Sequence, residues 1–120
     1  MARPHHFGRV CEDIAARVLT DSGWHILARN FRDGPREIDI IAHRESVVAF
    51  VEVKGRADAE HGHPLEAIGF RKRRELATAA RAWIARHGSS RALYRFDAIS
   101  VVRGESGPWR VEHIEDAWRL

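Results

Sequence analysis

The stretch VVAFVEVKGR, Val47 to Arg56, decides how the rest of the chain is arranged. Residues 47–53 are apolar except for Glu52, and Lys54 follows directly. Side chains alternate between the two faces of a strand, so one face carries Val48, Phe50, Glu52 and Lys54. A strand that is apolar on both faces is predicted to be central in its sheet and covered on both sides. Glu52 and Lys54 are therefore predicted to lie side by side at the end of this strand, where it leaves the covered part of the sheet.

The sequence on either side predicts a mixed β-sheet flanked by helices, in the order α-β-β-β-α-β-β. The predicted elements are a helix over 4–23, strands over 24–31, 36–42 and 47–54, a loop over 55–64, a long helix over 64–88, strands over 94–102 and 109–114, and a tail over 115–120. The 120 residues are enough for a single domain, 1–120, with its own hydrophobic core.

Composition narrows the class of protein. With 44% hydrophobic and 31% charged residues, the chain has the composition of a folded soluble protein. No apolar run is long enough to span a bilayer, and no charged-then-apolar leader opens the sequence, so no membrane association is expected. The single cysteine, Cys11, excludes an internal disulfide and a cysteine zinc site, which fits a reducing cytoplasm. A net charge of +3 suits a polyanionic partner.

The strand before VVAFVEVKGR carries a second acidic residue of interest, Asp39. If the hairpin loop between the two strands has an even number of residues, Asp39 faces the same way as Glu52 and lies opposite either Glu52 or Phe50. An odd loop would separate the carboxylates. Holding two carboxylates and Lys54 together at the edge of an apolar sheet would lower the stability of the fold. A bound Mg²⁺ would compensate the negative charge of the carboxylates. The alternative is a surface ion pair between Glu52 and Lys54.

Each helix offers one further candidate. Glu12 lies on the shoulder of the first helix's apolar stripe, so it either reaches the rim of the site or is simply solvated. Lys72 lies near the centre of the second helix's stripe, formed by Leu65, Ile68, Leu76, Ala79 and Trp83. A lysine there either extends past the sheet edge or meets an anionic phosphate. Lys54 and Lys72 are the only lysines among 20 basic residues, and both are predicted to point to one place.

Other polar residues allow two interpretations. Arg29, Asn30, Arg32 and Arg73 could contact phosphates, or they could hold turns and solvated helix faces. His61 and His63 form an HxH pair for which no third zinc ligand can be named, so exposed polar sequence is the expected interpretation. A structural hydrogen bond is expected for Asp97. The four tryptophans, Trp24, Trp83, Trp109 and Trp118, are expected in packing rather than in base stacking.

Six blocks, GRVCEDIAARVL, ILARNFR, EIDIIA, FVEVKGR, GHPLEAI and RFD, resemble in this order the YraN family of small bacterial proteins. The resemblance covers about residues 8–102. It implies the restriction-endonuclease-like fold and kinship with the archaeal Holliday-junction resolvases. The D…(D/E)-x-K pattern of that superfamily corresponds to Asp39, Glu52 and Lys54, its first-helix glutamate to Glu12, and the basic position of its following helix to Lys72. Arg36 and Cys11 stand where the family usually has glycine.

The resemblance implies a metal-dependent DNA endonuclease. Asp39, Glu52 and the Val53 carbonyl would bind Mg²⁺, for which Mn²⁺ would substitute, and Lys54 would position the attacking water. Glu12 would act at the metal through water or at a second ion. Lys72, Arg73, Arg29 and Arg56 are the predicted DNA contacts. Branched or structured DNA and a homodimer follow by analogy with the resolvases. The alternative is a non-catalytic nucleic-acid-binding or adaptor protein, although all four site residues are present.

The basic character of the chain gives a first prediction. If the surface binds a phosphate backbone, raising salt from about 50 to about 200 mM should weaken DNA binding about tenfold or more, because neutralised phosphates release counterions. Fluorescence anisotropy with duplexes of two unrelated sequences would measure this, and both should give the same slope. Binding that ignores salt, or no binding to duplex, branched or single-stranded DNA at low salt, would contradict the nucleic-acid interpretation.

Overall fold

The computed structural model describes residues 4–57 and 63–119. Its elements are α1 (Pro4–Asp21), β1 (His25–Asp33), β2 (Arg36–Arg44), β3 (Val47–Arg56), a 3₁₀ turn (Pro64–Ala67), α2 (Phe70–His87), β4 (Leu93–Val102) and β5 (Arg110–Trp118). The predicted α/β class and the order α-β-β-β-α-β-β are confirmed. In the part of the chain that is described, neither helix has both the length and the apolar character that a membrane span requires.

The five strands form one mixed sheet in the order β1-β2-β3-β4-β5, with β3 at its centre. β3 and β4 are parallel, and the other neighbouring strands are antiparallel. The side chains of β3 alternate as predicted. Val48 and Phe50 pack in the core on the α2 face, whereas Ala49 and Val51 pack in the core on the α1 face. The sheet is therefore a central layer between two helices, and β3 is covered on both sides.

α1 approaches the sheet most closely at Gly55, near the end of β3. A Cβ atom at Gly55 would lie 2.4 Å from Cys11 Sγ and 3.0 Å from the ring of Phe7. Cys11 is 1% exposed and belongs to the core between α1 and the sheet. Only a residue without a side chain fits here at the present helix–sheet distance.

The long helix predicted over 64–88 is wrong at its start. Residues Pro64–Ala67 form a separate 3₁₀ turn, and α2 begins at Phe70 after its N-cap residue, Gly69. Ile68 leaves helical geometry, with φ −105 and ψ 89, although it is buried as the helical pattern required. The break lets the chain turn onto the sheet before α2 starts, and it keeps Ile68 in the core.

The tail predicted over 115–120 is also wrong, because β5 continues to Trp118. Trp118 is 5% exposed and stacks on Phe96 of β4, with ring centroids 5.3 Å apart. A register shift separates this pair from the rest of the β4–β5 ladder. Asp97 fills the irregularity, since its side chain accepts hydrogen bonds from the Asp116 N–H at 2.9 Å and from Arg95 Nε at 2.9 Å. The structural hydrogen bond predicted for Asp97 is confirmed.

The close approach of α1 gives a second prediction. Gly55→Ala should lower the free energy of unfolding by about 1–3 kcal/mol, because the new methyl group overpacks against Cys11. Adding Cys11→Ala should recover part of this loss, since it removes the sulfur nearest the new atom. Chemical denaturation would measure both changes.

Gly8→Ala is the matched control. Gly8 lies in α1 with no atom within 4 Å of a built Cβ, so alanine there should stabilise the protein by about 0.5–1 kcal/mol. Additive effects of the changes at Cys11 and Gly55 would contradict the proposed contact.

Candidate active site

A two-residue turn sets the register of the two strands that carry the candidate carboxylates. Arg44 pairs with Val47, so only Glu45 and Ser46 lie in the hairpin loop. Glu45 adopts the left-handed conformation, with φ 55. The ladder continues to the pair Ile40 and Val51, beyond which the register places Asp39 directly opposite Glu52. The loop is therefore even, and the two carboxylates meet across the strands rather than on a diagonal.

The Asp39 and Glu52 side chains lie close enough for each carboxyl to act on the charge of the other. Glu52 is 4% exposed, and Asp39 Oδ2 also accepts a hydrogen bond of 2.8 Å from the Val53 N–H. The pKa of Asp39 is raised from 3.8 to about 8, first because burial disfavours its charged form and then because Glu52 adds negative charge and a shared hydrogen bond. In the absence of a cation, the pair therefore holds a proton at neutral pH.

The two lysines stand in different relations to this pair. Lys72 Nζ of α2 lies 3.6 Å from Glu52 Oε2, and its side chain remains 41% exposed. The predicted approach of Lys72 to the site is thus observed, with Glu52 as its anionic partner. Lys54 follows Glu52 on the same face of β3 and is half-buried. Within residues 4–57 and 63–119, the Lys54 ammonium has no hydrogen bond or ion pair.

Glu12 of α1 completes the acidic side of the site. Asn30 Nδ2 donates a hydrogen bond of 2.8 Å to Glu12 Oε1, and Asn30 itself has a left-handed φ of 52. Burial raises the pKa of Glu12, and the negative charges of Asp39 and Glu37 raise it further against the effect of the Asn30 hydrogen bond. Asn30 is the residue whose role the sequence did not reveal. The available signal was an asparagine inside a strand-like run, because asparagine adopts a left-handed φ more readily than most residues.

The arginines predicted to contact DNA have partners within the chain. Arg29 forms an exposed ion pair with Asp13 at 2.7 Å, which an incoming phosphate can replace at little cost. Arg73 donates to the Ile68 carbonyl at 2.9 Å and to the Leu65 carbonyl at 3.3 Å, and its guanidinium lies 5.4 Å from the centre of the Trp118 ring. Arg73 therefore holds the segment before α2 in this structure. For both residues, contact with DNA stays a prediction.

Arg56, the last residue of β3, contacts His63, the first described residue after the gap at 58–62. Arg56 donates a hydrogen bond of 3.2 Å to the His63 carbonyl. His63 Nδ1 accepts from the Leu65 N–H at 3.2 Å, which caps the 3₁₀ turn. The other histidine of the HxH pair, His61, lies outside the described residues. His63 thus has a local structural role, and contact of Arg56 with DNA stays a prediction.

The carboxylates at this site fit a hard divalent cation that takes only a few of its ligands from the protein. Among the described residues, no group of three or more His, Cys, Asp or Glu side chains is arranged to hold a metal ion. Asp39 and Glu52 therefore offer two carboxylates, and the Val53 peptide lies beside them through its N–H bond to Asp39. Mg²⁺ usually takes one or two protein carboxylates and fills its remaining positions with water and phosphate oxygens. A carboxylate pair that shares a proton in the absence of metal can exchange that proton for the cation.

The sequence profile of Uncharacterised protein family UPF0102 matches residues 11–101, a range that contains all of these site residues. A UPF0102 protein of Magnetococcus marinus is 43% identical over 118 residues, covering 98% of this chain and 94% of the relative. One of Chloroherpeton thalassium is 43% identical over 100 residues, covering 83% and 78%. One of Parafrankia is 42% identical over 111 residues, covering 92% and 94%.

The raised pKa of Asp39 gives a third prediction, for protein in EDTA. Between the ordinary pKa of 3.8 and about 8, the folded state keeps a proton that the unfolded chain releases, so stability falls as pH rises through this window. The contribution of this group is at most about 1.4 kcal/mol per pH unit. Asp39→Asn resembles the protonated form, so its free energy of unfolding should fall less between pH 5 and pH 8.

Denaturant titrations at pH 5, 6.5 and 8 on both proteins would measure the difference and cancel every pH effect that the two proteins share. At pH 8, the variant should be at least as stable as the wild type. Parallel pH profiles, or a variant strongly destabilised at pH 8, would show that the ionised carboxylate is a favourable structural partner.

Proposed function

We propose that this chain, which belongs to Uncharacterised protein family UPF0102, is a Mg²⁺-dependent DNA endonuclease. The observation that carries the proposal is the pairing of Asp39 with Glu52 at the end of the central strand, under a lysine from α2. A buried carboxylate and a half-buried one that face each other are unfavourable as structure, and they are the ligand set that a hard cation needs. The resemblance to the YraN family and the restriction-endonuclease-like superfamily supplies the reaction class.

Asp39 and Glu52 would hold the cation, with the Val53 carbonyl as the third protein ligand. When bound, Mg²⁺ would supply Lewis-acid stabilisation of charge on a phosphodiester oxygen, and Mn²⁺ would substitute for it. For binding to occur, Asp39 must release the proton that it shares with Glu52. The Val53 N–H keeps Asp39 oriented throughout, because it already donates to Oδ2 at 2.8 Å.

Lys54 would position the attacking water beside the scissile phosphate. Its ammonium shares the site face with Glu52 and is not committed to another described residue. A free ammonium donor can orient a water oxygen and stabilise the negative charge that develops on phosphorus oxygens. Glu12, fixed by Asn30, would assist at the other side of Asp39 by holding a second water or a second ion.

Lys72 would exchange partners during substrate binding. In this structure its ammonium compensates the buried Glu52 at 3.6 Å. A bound cation would take over that compensation, which would release Lys72 to contact a DNA phosphate. The 41% exposure of the Lys72 side chain leaves room for such a movement. Lys72 therefore links occupation of the metal site to affinity for the phosphate backbone.

The proposed substrate class is branched or otherwise structured DNA, by kinship with the resolvases. The same kinship suggests a homodimer, and the single cysteine suits a reducing cytoplasm. The alternative function, a non-catalytic nucleic-acid-binding or adaptor protein, gives no reason to keep Asp39 and Glu52 against each other at the sheet edge. It also gives no reason for the hydrogen bond that fixes Glu12 to Asn30. These two contacts favour the enzyme.

A fourth prediction tests the metal site and the chemistry separately. Mg²⁺ or Mn²⁺ at about ten times its Kd should raise the Tm of the wild type by roughly 4–8 °C, because the unfolded chain does not preform the site. Asp39→Asn should lose this response. Lys54→Ala should keep the response and lose the cleavage of branched and duplex DNA, because the lysine serves the reaction rather than the coordination.

Asp21→Asn is the matched control, since Asp21 is an exposed carboxylate at the end of α1. It should keep both the thermal response and the cleavage. A wild type whose Tm ignores both cations would remove the proposed metal site. A wild type that binds the cation and DNA but never cleaves would favour the non-catalytic alternative.

A further inference from the structure

A second feature, separate from Asp39 and Glu52, is a groove between α2 and the strands β4 and β5. Its main part has a volume of about 580 Å³. The floor and walls are largely apolar and aromatic, and they include Phe50, Ala77, Ile84, Tyr94, Phe96 and Trp118. Leu93, 65% exposed, lies at one end of the groove. An apolar groove of this size that remains open on a soluble domain indicates a binding surface.

The groove continues towards the N-terminus of α2 as a second depression of about 430 Å³. Its exposed aromatic member is Phe70, the first residue of α2, with 71% of its surface accessible. Arg81 and Arg119 line both parts, so the two form one continuous surface. Phe70 and the aromatic floor thus belong to one surface that runs beside α2. We call this surface the α2 groove.

Positive charge on the α2 groove is incompletely compensated. Arg119 is paired with Asp116 at 2.7 Å, and Arg95 is engaged by Asp97. Arg74 and Arg81, in contrast, have no ion pair with any residue of the described part of the chain. The Arg74 guanidinium lies 5.8 Å from the centre of the Phe70 ring. The expected ligand is therefore an anion that also carries flat apolar groups.

Single-stranded DNA combines these two properties. Its bases stack on exposed aromatic rings, and its phosphates pair with arginines at the side of the groove. A second copy of this chain fits less well, because the chain has a net charge of +3 and would have to bring spare carboxylates to Arg74 and Arg81. An acidic peptide would neutralise the arginines but would leave the exposed ring of Phe70 without a stacking partner.

The position of the groove connects it with the candidate active site. Phe70 precedes Lys72 by two residues on α2, a rise of about 3 Å along the helix axis. Lys72 in turn reaches Glu52. The two positions differ by about 200° around the helix, so a DNA strand that passes Lys72 must cross α2, roughly 10 Å or about two nucleotides, before it reaches Phe70 and continues along the opposite side.

We propose that the α2 groove binds a single-stranded DNA segment that continues from the duplex held at Asp39, Glu52 and Lys72. Bases would stack on Phe70 and contact the aromatic floor, and phosphates would pair with Arg74 and Arg81. The inference rests on the proposed nuclease function and narrows its substrate to DNA with an unpaired strand next to the duplex. Junctions, flaps and tailed duplexes all have this feature.

The fifth prediction compares three DNAs in EDTA, so that neither metal binding nor cleavage affects the result. The probes are a blunt duplex, the same duplex with an unpaired tail, and the tailed duplex with the tail made abasic. The tail is tested at either end of a strand. For the wild type, the natural tail should raise the affinity measured by fluorescence anisotropy at least about fivefold over the blunt duplex. The abasic tail should raise it less, because it offers phosphates without bases.

Phe70→Ala should remove the gain that the natural tail gives over the abasic tail, and Arg74→Gln combined with Arg81→Gln should remove most of the remaining gain. These side chains are exposed, so the fold should be retained, and circular dichroism would check this. Arg86→Gln is the matched control. It removes the same charge from an exposed position of α2 outside the groove, and it should keep the tail-dependent gain.

The failures of the two proposals are distinguishable. If the wild type binds blunt and tailed duplexes equally, or if Phe70→Ala keeps the full gain, the groove is not a single-strand site and the nuclease proposal stands. If no DNA binds at low salt, either in EDTA or with Mg²⁺ present, both proposals are wrong. Self-association by sedimentation that Phe70→Ala abolishes would identify a dimer interface. Displacement of the tailed DNA by oligo-glutamate as readily as by an oligonucleotide of equal charge would identify an acidic-peptide site, and either result overturns the inference.

Discussion

The register between β2 and β3 is the constraint on which the candidate site depends. Side chains alternate with a period of two, so a slip of one residue would turn Asp39 away from Glu52 and would move the apolar residues of β2 to the wrong layers. The turn at Glu45 and Ser46 fixes this register from one end of the hairpin. The Val53 N–H bond to Asp39 fixes it from the other end, where the regular ladder stops. The site is thus built from strands rather than loops, which limits how far its carboxylates can move.

The surroundings of the carboxylate pair divide into groups that offset its charge and groups that add to it. A shared proton, the Val53 N–H and the Lys72 ammonium all stabilise Asp39 and Glu52 in the structure. Glu12 adds negative charge nearby and is itself held by Asn30. Such an arrangement keeps acidic groups together at a cost in stability, as functional sites commonly do. The apolar packing on both faces of the central strand offsets this cost.

Sequence reasoning reached the parts of the site that follow from strand periodicity. The alternation along β3 put Glu52 and Lys54 on one face, and the covered centre of the sheet followed from the apolar residues on both faces. The parity of the hairpin could not be read, because Glu45 and Ser46 are not one of the glycine-containing pairs that mark a two-residue hairpin turn, and Glu45 adopts φ 55 under tertiary constraint.

Predictions at element ends failed for a similar reason. The apolar spacing of Leu65 and Ile68 continues smoothly into α2, so periodicity gives no sign that the helix is interrupted between them and Phe70. Trp118 joins β5 through stacking on Phe96, a contact between distant positions. The carbonyl partners of Arg73 likewise exist only because that interruption exposes them. Each of these features depends on tertiary geometry that local propensity does not encode.

The contact between Cys11 and Gly55 has a consequence for how members of the family can diverge. Cys11 immediately precedes Glu12, so the space that Gly55 leaves determines how far Glu12 stands from the end of β3. A bulkier side chain at either position would lift α1 and carry Glu12 away from Asp39. Evolutionary change at the two positions is therefore expected to be correlated, with the sum of their volumes held within narrow limits. The distance between the Glu12 carboxylate and the sheet would then depend on two residues that change together in evolution, rather than on one residue alone.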